Sequence, residues 1–133
     1  KRITFLKELS GVLGQENECI HFRAEEAGKN PAYRERYDLA TARAVAHLRE
    51  LSEYCLPFVR VGGTFAAMKG GEIDAELAES AKAIGLLSGR VEKTKRFSLP
   101  DESRRSIILI KKISQNATKY PRPSAKIAKN PLV

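Results

Sequence analysis

Two stretches decide the fold: residues 37–41, which read Tyr37-Asp38-Leu39-Ala40-Thr41, and residues 64–68, which read Thr64-Phe65-Ala66-Ala67-Met68. Each has the length and the bounding residues of a strand. Between them, the leucines of residues 48–56 recur at helical spacing, and Pro57 brings that helix near its end. A strand, a helix and a second strand in this order predict two parallel strands in one sheet.

The same alternation extends on both sides of this unit. Residues 3–13 carry a helical apolar stripe, and residues 19–23 read as a short strand. Further on, residues 73–84 are near-helical, residues 91–99 are strand-like, and residues 107–110 form an apolar run typical of a strand buried on both faces. We predict an α/β fold: a parallel sheet with helices on both faces and a final antiparallel hairpin, as in class I methyltransferases. Another α/β domain, for example a nucleotide-binding one, also fits this pattern.

Charge and proline content divide the chain into a body, residues 1–114, and a tail, residues 115–133, which we expect to be basic and extended. The net charge is +8, yet residues 1–102 balance 16 basic against 16 acidic side chains. The eight basic residues of the acid-free stretch 103–133 are Arg104, Arg105, Lys111, Lys112, Lys119, Arg122, Lys126 and Lys129. Such an end predicts contact with a polyanion, most simply nucleic acid. The alternative is a solvated tail without a specific role.

The composition excludes several classes of protein. No apolar run approaches the ~20 residues that span a bilayer, and we expect no signal peptide, because residues 1–4 enter an amphipathic pattern directly. Cys19 and Cys55 lie far apart in apolar-patterned segments, which indicates reduced thiols in a cytosolic protein. Neither His21 nor His47 has a metal-ligand neighbour, so we expect no metal. The chain starts at Lys1 inside a helical pattern, and we expect it to be a fragment.

A cation follows each predicted parallel strand: Arg23, Arg43 or Lys69. Because ligands of open parallel sheets bind beyond the carboxyl ends of the strands, these side chains should form one rim for a phosphate or carboxylate. Unrelated surface cations are the alternative. No Ser-His-Asp or Cys-His arrangement is visible, which fits methyl transfer to a ring nitrogen with a free lone pair, since positioning carries that reaction. It fits a non-catalytic binding module equally well.

Several motifs together resemble one family, that of RsmG, also called glucose-inhibited division protein B. They lie in the expected order along essentially the whole chain: Lys1-Arg2-Ile3-Thr4-Phe5-Leu6, Arg23-Ala24-Glu25-Glu26, Tyr37-Asp38-Leu39-Ala40-Thr41-Ala42-Arg43-Ala44-Val45-Ala46, Leu51-Ser52-Glu53-Tyr54-Cys55-Leu56-Pro57, Gly62-Gly63-Thr64-Phe65-Ala66-Ala67-Met68-Lys69-Gly70, Lys119-Tyr120-Pro121-Arg122 and Lys129-Asn130-Pro131-Leu132. The middle blocks and the tail are the most specific part of the resemblance.

The resemblance implies a class I, Rossmann-like methyltransferase fold that lacks its first strands here. It implies an enzyme that transfers a methyl group from S-adenosyl-L-methionine to guanine N7 in 16S ribosomal RNA. By matching position, Ala24 and Glu25 would lie by the adenosine, and Arg43 would face the cofactor and the target base as the catalytic residue. Contacts to RNA would come from Lys1, Arg2, Arg23, Lys69, Lys119 and Arg122. We expect a cytoplasmic monomer that meets ribosomal RNA or the small ribosomal subunit.

Two departures from the family pattern affect these expectations. The glycine-rich loop after the first strand and the acidic residue that ends the second should precede Lys1, so this chain alone should bind cofactor poorly and be inactive. The tail at residues 123–128 also lacks the glycine and proline expected after Lys119-Tyr120-Pro121-Arg122. The alternatives are a basic RNA- or ribosome-binding module without catalysis, and a nicotinamide-linked enzyme, which would require a G-x-G-x-x-G loop that this sequence lacks.

Overall fold

The computed structural model describes residues 1–43 and 46–133, and a four-stranded sheet lies at its centre. The strands are β1 (Tyr37–Arg43), β2 (Val59–Lys69), β3 (Gly89–Ser98) and β4 (Arg104–Lys112). The helices are α1 (Arg2–Val12), α2 (Ala24–Ala27), α3 (Leu48–Cys55), α4 (Asp74–Leu86) and α5 (Ser124–Lys129), and a 3-10 turn covers Leu56–Phe58. The mixed α/β class and the alternation predicted after residue 37 are therefore confirmed.

The sheet has the strand order β1-β2-β4-β3. β1 and β2 run parallel, with Arg43 beside Met68 at their carboxyl ends. β4 pairs antiparallel with both β2 and β3, which places Lys69 opposite Ser106. The predicted parallel pair and the predicted final antiparallel hairpin are both present, and the helix α3 connects the two parallel strands.

One face of this sheet carries the core. The helices α3 and α4 pack against each other above it, and β4 shows the one-sided burial most clearly. Ile108 and Ile110 are fully buried, whereas Ile107 and Leu109 between them are only half-buried. The predictions of helices on both faces and of full burial for residues 107–110 are therefore wrong for the described residues. Side chains alternate along a strand, and no described helix packs extensively on the second face.

Residues 19–23 do not form the predicted strand. They run irregularly toward α2, and among the described residues the sheet ends at β1. A strand needs a neighbour to pair its backbone N–H and C=O groups, and this segment has none in the described sheet. The predicted helix over residues 3–13 does form as α1, but none of its residues is buried. The described sheet thus has two parallel strands, not the three that were expected.

The segment after Ser114 is folded onto the body, although the sequence predicts an extended conformation. Tyr120 and Ile127 are buried, and residues 124–129 form α5. Arg34 anchors the segment, since its guanidinium donates hydrogen bonds of 3.0 and 2.6 Å to the carbonyl oxygens of Ala117 and Tyr120. The prolines prevent regular backbone hydrogen bonding but not folding of the segment onto the body. The Arg34 guanidinium, from a distant part of the chain, supplies donors for backbone carbonyl oxygens that lack regular partners.

Candidate functional site

A pocket of about 660 Å³ opens at the carboxyl ends of the parallel strands β1 and β2. Arg43, Met68 and Lys69 come from these strand ends, and the β3–β4 hairpin closes the other side with Phe97 and Arg105. Open α/β sheets bind their ligands at this edge. The expected location of the site is therefore a pocket in the structure.

The strand register places most of the lining side chains on one face of the sheet. Arg43 lies beside Met68, Met68 lies opposite Ile107, and Phe97 lies opposite Arg105. Apolar side chains thus line the pocket together with the side chains of Arg43 and Arg105. This combination suits a planar aromatic ring together with an anionic group, because guanidinium binds phosphate and stacks on rings.

Arg43 is exposed at the end of β1 and forms no hydrogen bond or ion pair with the described residues. Lys69, which also lines the pocket, differs from Arg43 because its ammonium group has partners within the protein. The Lys69 Nζ lies 2.8 Å from the Glu76 Oε2 and donates a 2.6 Å hydrogen bond to the carbonyl oxygen of Ala46. Only 9% of the Lys69 side chain is exposed. The ammonium group is therefore bound within the protein.

The other predicted cation, Arg23, is not in this pocket. It precedes α2 and, with Glu25 and Lys29, lines a second pocket of about 650 Å³, which the tail residues Pro121 and Pro123 close. The expected crevice with three cations therefore holds only Arg43 and Lys69. The absence of a strand at residues 19–23 accounts for the difference, since no parallel strand delivers Arg23 to the sheet edge.

The remaining predicted RNA contacts are spread over the surface. Lys1 and Arg2 are exposed at the start of α1, and the Lys119 Nζ lies 5.3 Å from the ring centre of Tyr120. Arg122 is half-buried and bound to Glu53, whose side chain is 1% exposed. Two hydrogen bonds of 2.9 and 2.8 Å join the guanidinium to the two carboxylate oxygens, and they raise the pKa of Arg122.

Two cofactor contacts expected from the resemblance lie apart from the third. Ala24 is exposed in the first turn of α2, beside the half-buried Glu25, whereas Arg43 lines the pocket at the strand ends. Within the described residues, these three side chains do not surround one cavity. They therefore do not form a complete binding site for a molecule of the size of S-adenosylmethionine.

Several chemical roles are excluded for the described residues. Burial raises the pKa of the Cys55 thiol to about 12, so it is no thiolate nucleophile near neutral pH. No group of three His, Cys, Asp or Glu side chains in residues 1–43 and 46–133 is placed to hold a metal ion. None of the helices in that part of the chain combines the length and the apolarity of a membrane span.

Sequence reasoning missed four side chains that shape these sites: Phe97 and Arg105 in the pocket, and the acids Glu76 and Glu53. The alternation along residues 91–99 could have pointed to Phe97. Nothing local identifies Glu53, because its partner Arg122 is 69 residues away.

Comparison with known proteins assigns the chain to a family. Residues 1–108 match the family GidB, described as rRNA small subunit methyltransferase G. The chain belongs to this family. The resemblance drawn from the motifs is thereby confirmed, and the matched residues include α1 and most of the sheet.

Individual relatives carry the same description, Ribosomal RNA small subunit methyltransferase G. The protein from Exiguobacterium sp. is 46% identical over 135 residues, that from Acetivibrio thermocellus 50% over 134, and that from Brevibacillus brevis 48% over 135. These alignments cover 99–100% of this chain but only 55–57% of the relatives. The chain thus spans little more than half the length of the GidB proteins that it matches.

A distant likeness in shape links the chain to a solved structure, an arsenic(III) S-adenosylmethionine methyltransferase from Chlamydomonas reinhardtii. The identity is 10% and the TM-score is 0.43, with 80% of this chain and 48% of that protein covered.

Proposed function

We propose that the full-length protein transfers a methyl group from S-adenosyl-L-methionine to guanine N7 in 16S ribosomal RNA, and that this chain supplies the RNA-facing edge of its active site. Membership of the GidB family carries the proposal. The pocket at the strand ends supports it, because an exposed arginine and an apolar floor suit a purine with its phosphate.

Arg43 is the proposed catalytic residue. Arg43 lines the pocket and pairs in register with Met68, and no described residue neutralises its charge. There it would hold the target guanosine with N7 directed at the methyl donor. Guanine N7 has a free lone pair, so this reaction requires alignment and no general base.

The proposed cofactor is S-adenosylmethionine, with Ala24, Glu25 and Arg43 as its contacts in this chain. These residues line three separate pockets, so they form only part of a cofactor site. The chain alone is expected to be inactive, and the experiments below use the full-length protein.

The proposed RNA contacts are Lys1, Arg2, Arg23, Lys69, Lys119 and Arg122. They suit ribosomal RNA in the small subunit as the partner, because lysine and arginine side chains neutralise phosphates. Two of them, Lys69 and Arg122, are bound to internal carboxylates, so a phosphate would have to compete with those acids. A cytoplasmic, monomeric protein remains part of the proposal.

The test is methylation of small subunits by the full-length protein with isotopically labelled S-adenosylmethionine. We expect Arg43→Ala to lower the rate by about a hundredfold or more, as expected when a reactant loses its alignment, while thermal unfolding is unchanged. Arg60→Ala is the matched control, because Arg60 lies near the start of β2, far from the pocket, in an exposed pair with Asp38. An Arg43→Ala variant that methylates normally, or one that unfolds, would contradict the assignment.

The second candidate is a basic RNA-binding module without catalysis, which the positive charge after residue 102 favours. Calorimetry with S-adenosylmethionine separates the two functions. Micromolar affinity of the full-length protein excludes the non-catalytic module, and absence of binding favours it.

A further inference from the structure

We propose that Lys69 and Glu76 are positioning residues, which together hold the carboxyl end of β2 to Ala46 and to the start of α3, and thereby fix the strand end with which Arg43 pairs. In this assignment Lys69 acts inside the protein, and this internal role replaces the RNA contact proposed for Lys69 above. The inference deepens the proposed function, on which it rests, by giving the pocket a support that no motif assigns.

Three elements meet at the Lys69 ammonium group. Lys69 ends β2, and Glu76 lies in the first turn of α4. The Glu76 Oε2 accepts both the Lys69 ammonium at 2.8 Å and the backbone N–H of Leu48, the first residue of α3, at 2.6 Å. The ammonium also donates to the carbonyl oxygen of Ala46, three residues after Arg43.

These contacts hold the chain on both sides of a short connection. Arg43 is fixed by its pairing with β2, while Ala46 and Leu48 are fixed by Lys69 and Glu76. Arg43 pairs in register with Met68, the residue before Lys69, and both Arg43 and Lys69 line the pocket. Any shift of the end of β2 would therefore be transmitted through this strand pairing to Arg43.

The burial of the pair argues for this internal role. The side chains of Lys69 and Glu76 are 9% and 22% exposed, so solvent and salt screen their attraction less than they screen a surface pair. A phosphate that took over the ammonium would leave the Glu76 carboxylate and the Ala46 carbonyl without their cationic partner. Breaking a buried pair on one side is costly, which disfavours such an exchange.

Substitution of Glu76 tests the inference in the full-length protein. Glu76→Gln keeps the size of the side chain and an oxygen for the Leu48 N–H but removes the charge that binds Lys69. We expect kcat to fall between about tenfold and a hundredfold, with RNA affinity unchanged, because the reacting groups lose alignment. Asp74→Asn is the matched control: Asp74 lies in the same first turn of α4 but pairs with the exposed Arg96.

If Lys69 contacts RNA directly, the variants should change RNA affinity and its salt dependence. Glu76→Gln would then release a cation and strengthen RNA binding. Lys69→Gln would reduce the slope of log affinity against log salt concentration by about 0.7 to 0.9, the value for one phosphate contact. Either result overturns the positioning role.

Amide hydrogen exchange supplies a readout that does not depend on activity. In Glu76→Gln, the amide of Leu48 and its neighbours should exchange faster than in the wild type and in Asp74→Asn, because local opening becomes easier. An inactive wild type would refute the proposed function, while exchange would still test the inference. An active wild type with an unaffected Glu76→Gln variant would refute the inference alone.

Discussion

Single acidic residues determine which basic side chains are bound within the protein and which are exposed to solvent. Of the six cations expected to contact RNA, two are bound to acids that lie far away in sequence or in another element, Lys69 to Glu76 and Arg122 to Glu53. A count of positive charge therefore overestimates the cations available to a polyanion. Under the proposed function, electrostatic attraction to RNA would rest more on residues such as Arg43 and Arg105, which are exposed and line the pocket.

Arg122 should matter for stability. Its loss would leave the buried carboxylate of Glu53 without a counter-charge, which costs about 3–5 kcal/mol in comparable buried pairs. We expect Arg122→Ala to lower the free energy of unfolding, measured by urea denaturation, by about this amount. Lys126→Ala, which removes an exposed cation from α5, should leave it nearly unchanged.

The opposite outcome for Arg122→Ala would show a different role. If this variant were as stable as the wild type but bound RNA with a weaker salt dependence, Arg122 would serve phosphate contact. The predicted RNA role would then stand, and the ion pair with Glu53 would be incidental.

At the level of elements, the close pairing of β1 and β2 depends on a glycine. A Cβ at Gly63 would lie 2.7 Å from the carbonyl oxygen of Asp38 and 2.8 Å from the Val59 Cγ1. We expect Gly63→Ala to destabilise the protein by about 1–3 kcal/mol, the usual cost of forcing extra atoms into a packed region. A drop in Tm measures it, and Gly70→Ala, with no atom within 4 Å of its Cβ, is the control. Equal Tm values for the two variants would contradict this account.

The elements also show what the sequence could predict. Local periodicity was sufficient for α3, α4, the parallel pair and the hairpin, because each has its own apolar spacing. Periodicity failed for residues 19–23, whose pattern is that of a strand but which have no pairing partner in the described sheet. It also could not show that one face of the sheet lacks a described helix, since burial of a face depends on what packs against it.

For the site, local sequence indicated its place at the strand ends but not its internal contacts. The position of Arg43 followed from the rule for open sheets. The bond between Lys69 and Glu76 did not, because it joins the end of a strand to a helix turn that folding brings near. Side-chain partners of this kind are set by tertiary packing, which no spacing along the chain encodes.

In the whole molecule, the body and the segment after Ser114 behave as one folded unit. Arg34 is the main link, since its guanidinium donates to the carbonyls of Gly28, Ala117 and Tyr120. A second link runs through Glu35. Its carboxylate pairs with the buried Lys112 and also accepts a hydrogen bond from the backbone N–H of Asn116. The predicted boundary between body and tail at residue 114 rests on composition alone. It stays a prediction, since these contacts cross it.

Loss of the Arg34 guanidinium should detach the segment after Ser114 from the body. Arg34→Lys keeps the charge but cannot reach several carbonyls at once, so trypsin should cut after Lys119 and Lys126 several-fold faster than in the wild type. Arg36→Lys is the control, because the Arg36 Nε donates a 2.7 Å hydrogen bond to the carbonyl oxygen of Pro31, five residues earlier in the chain. Unchanged cleavage of Arg34→Lys, followed by mass spectrometry, would show that other contacts hold the segment.

The long separation between Glu53 and Arg122 has a consequence for biosynthesis. A ribosome that adds about 5–20 residues per second makes Arg122 about 3 to 14 seconds after Glu53, given the 69 residues between them. During that interval the acid on α3 has no permanent counter-ion, so the nascent helix cannot bury it at low cost. Docking of α3 in its final position should therefore be among the last steps of maturation.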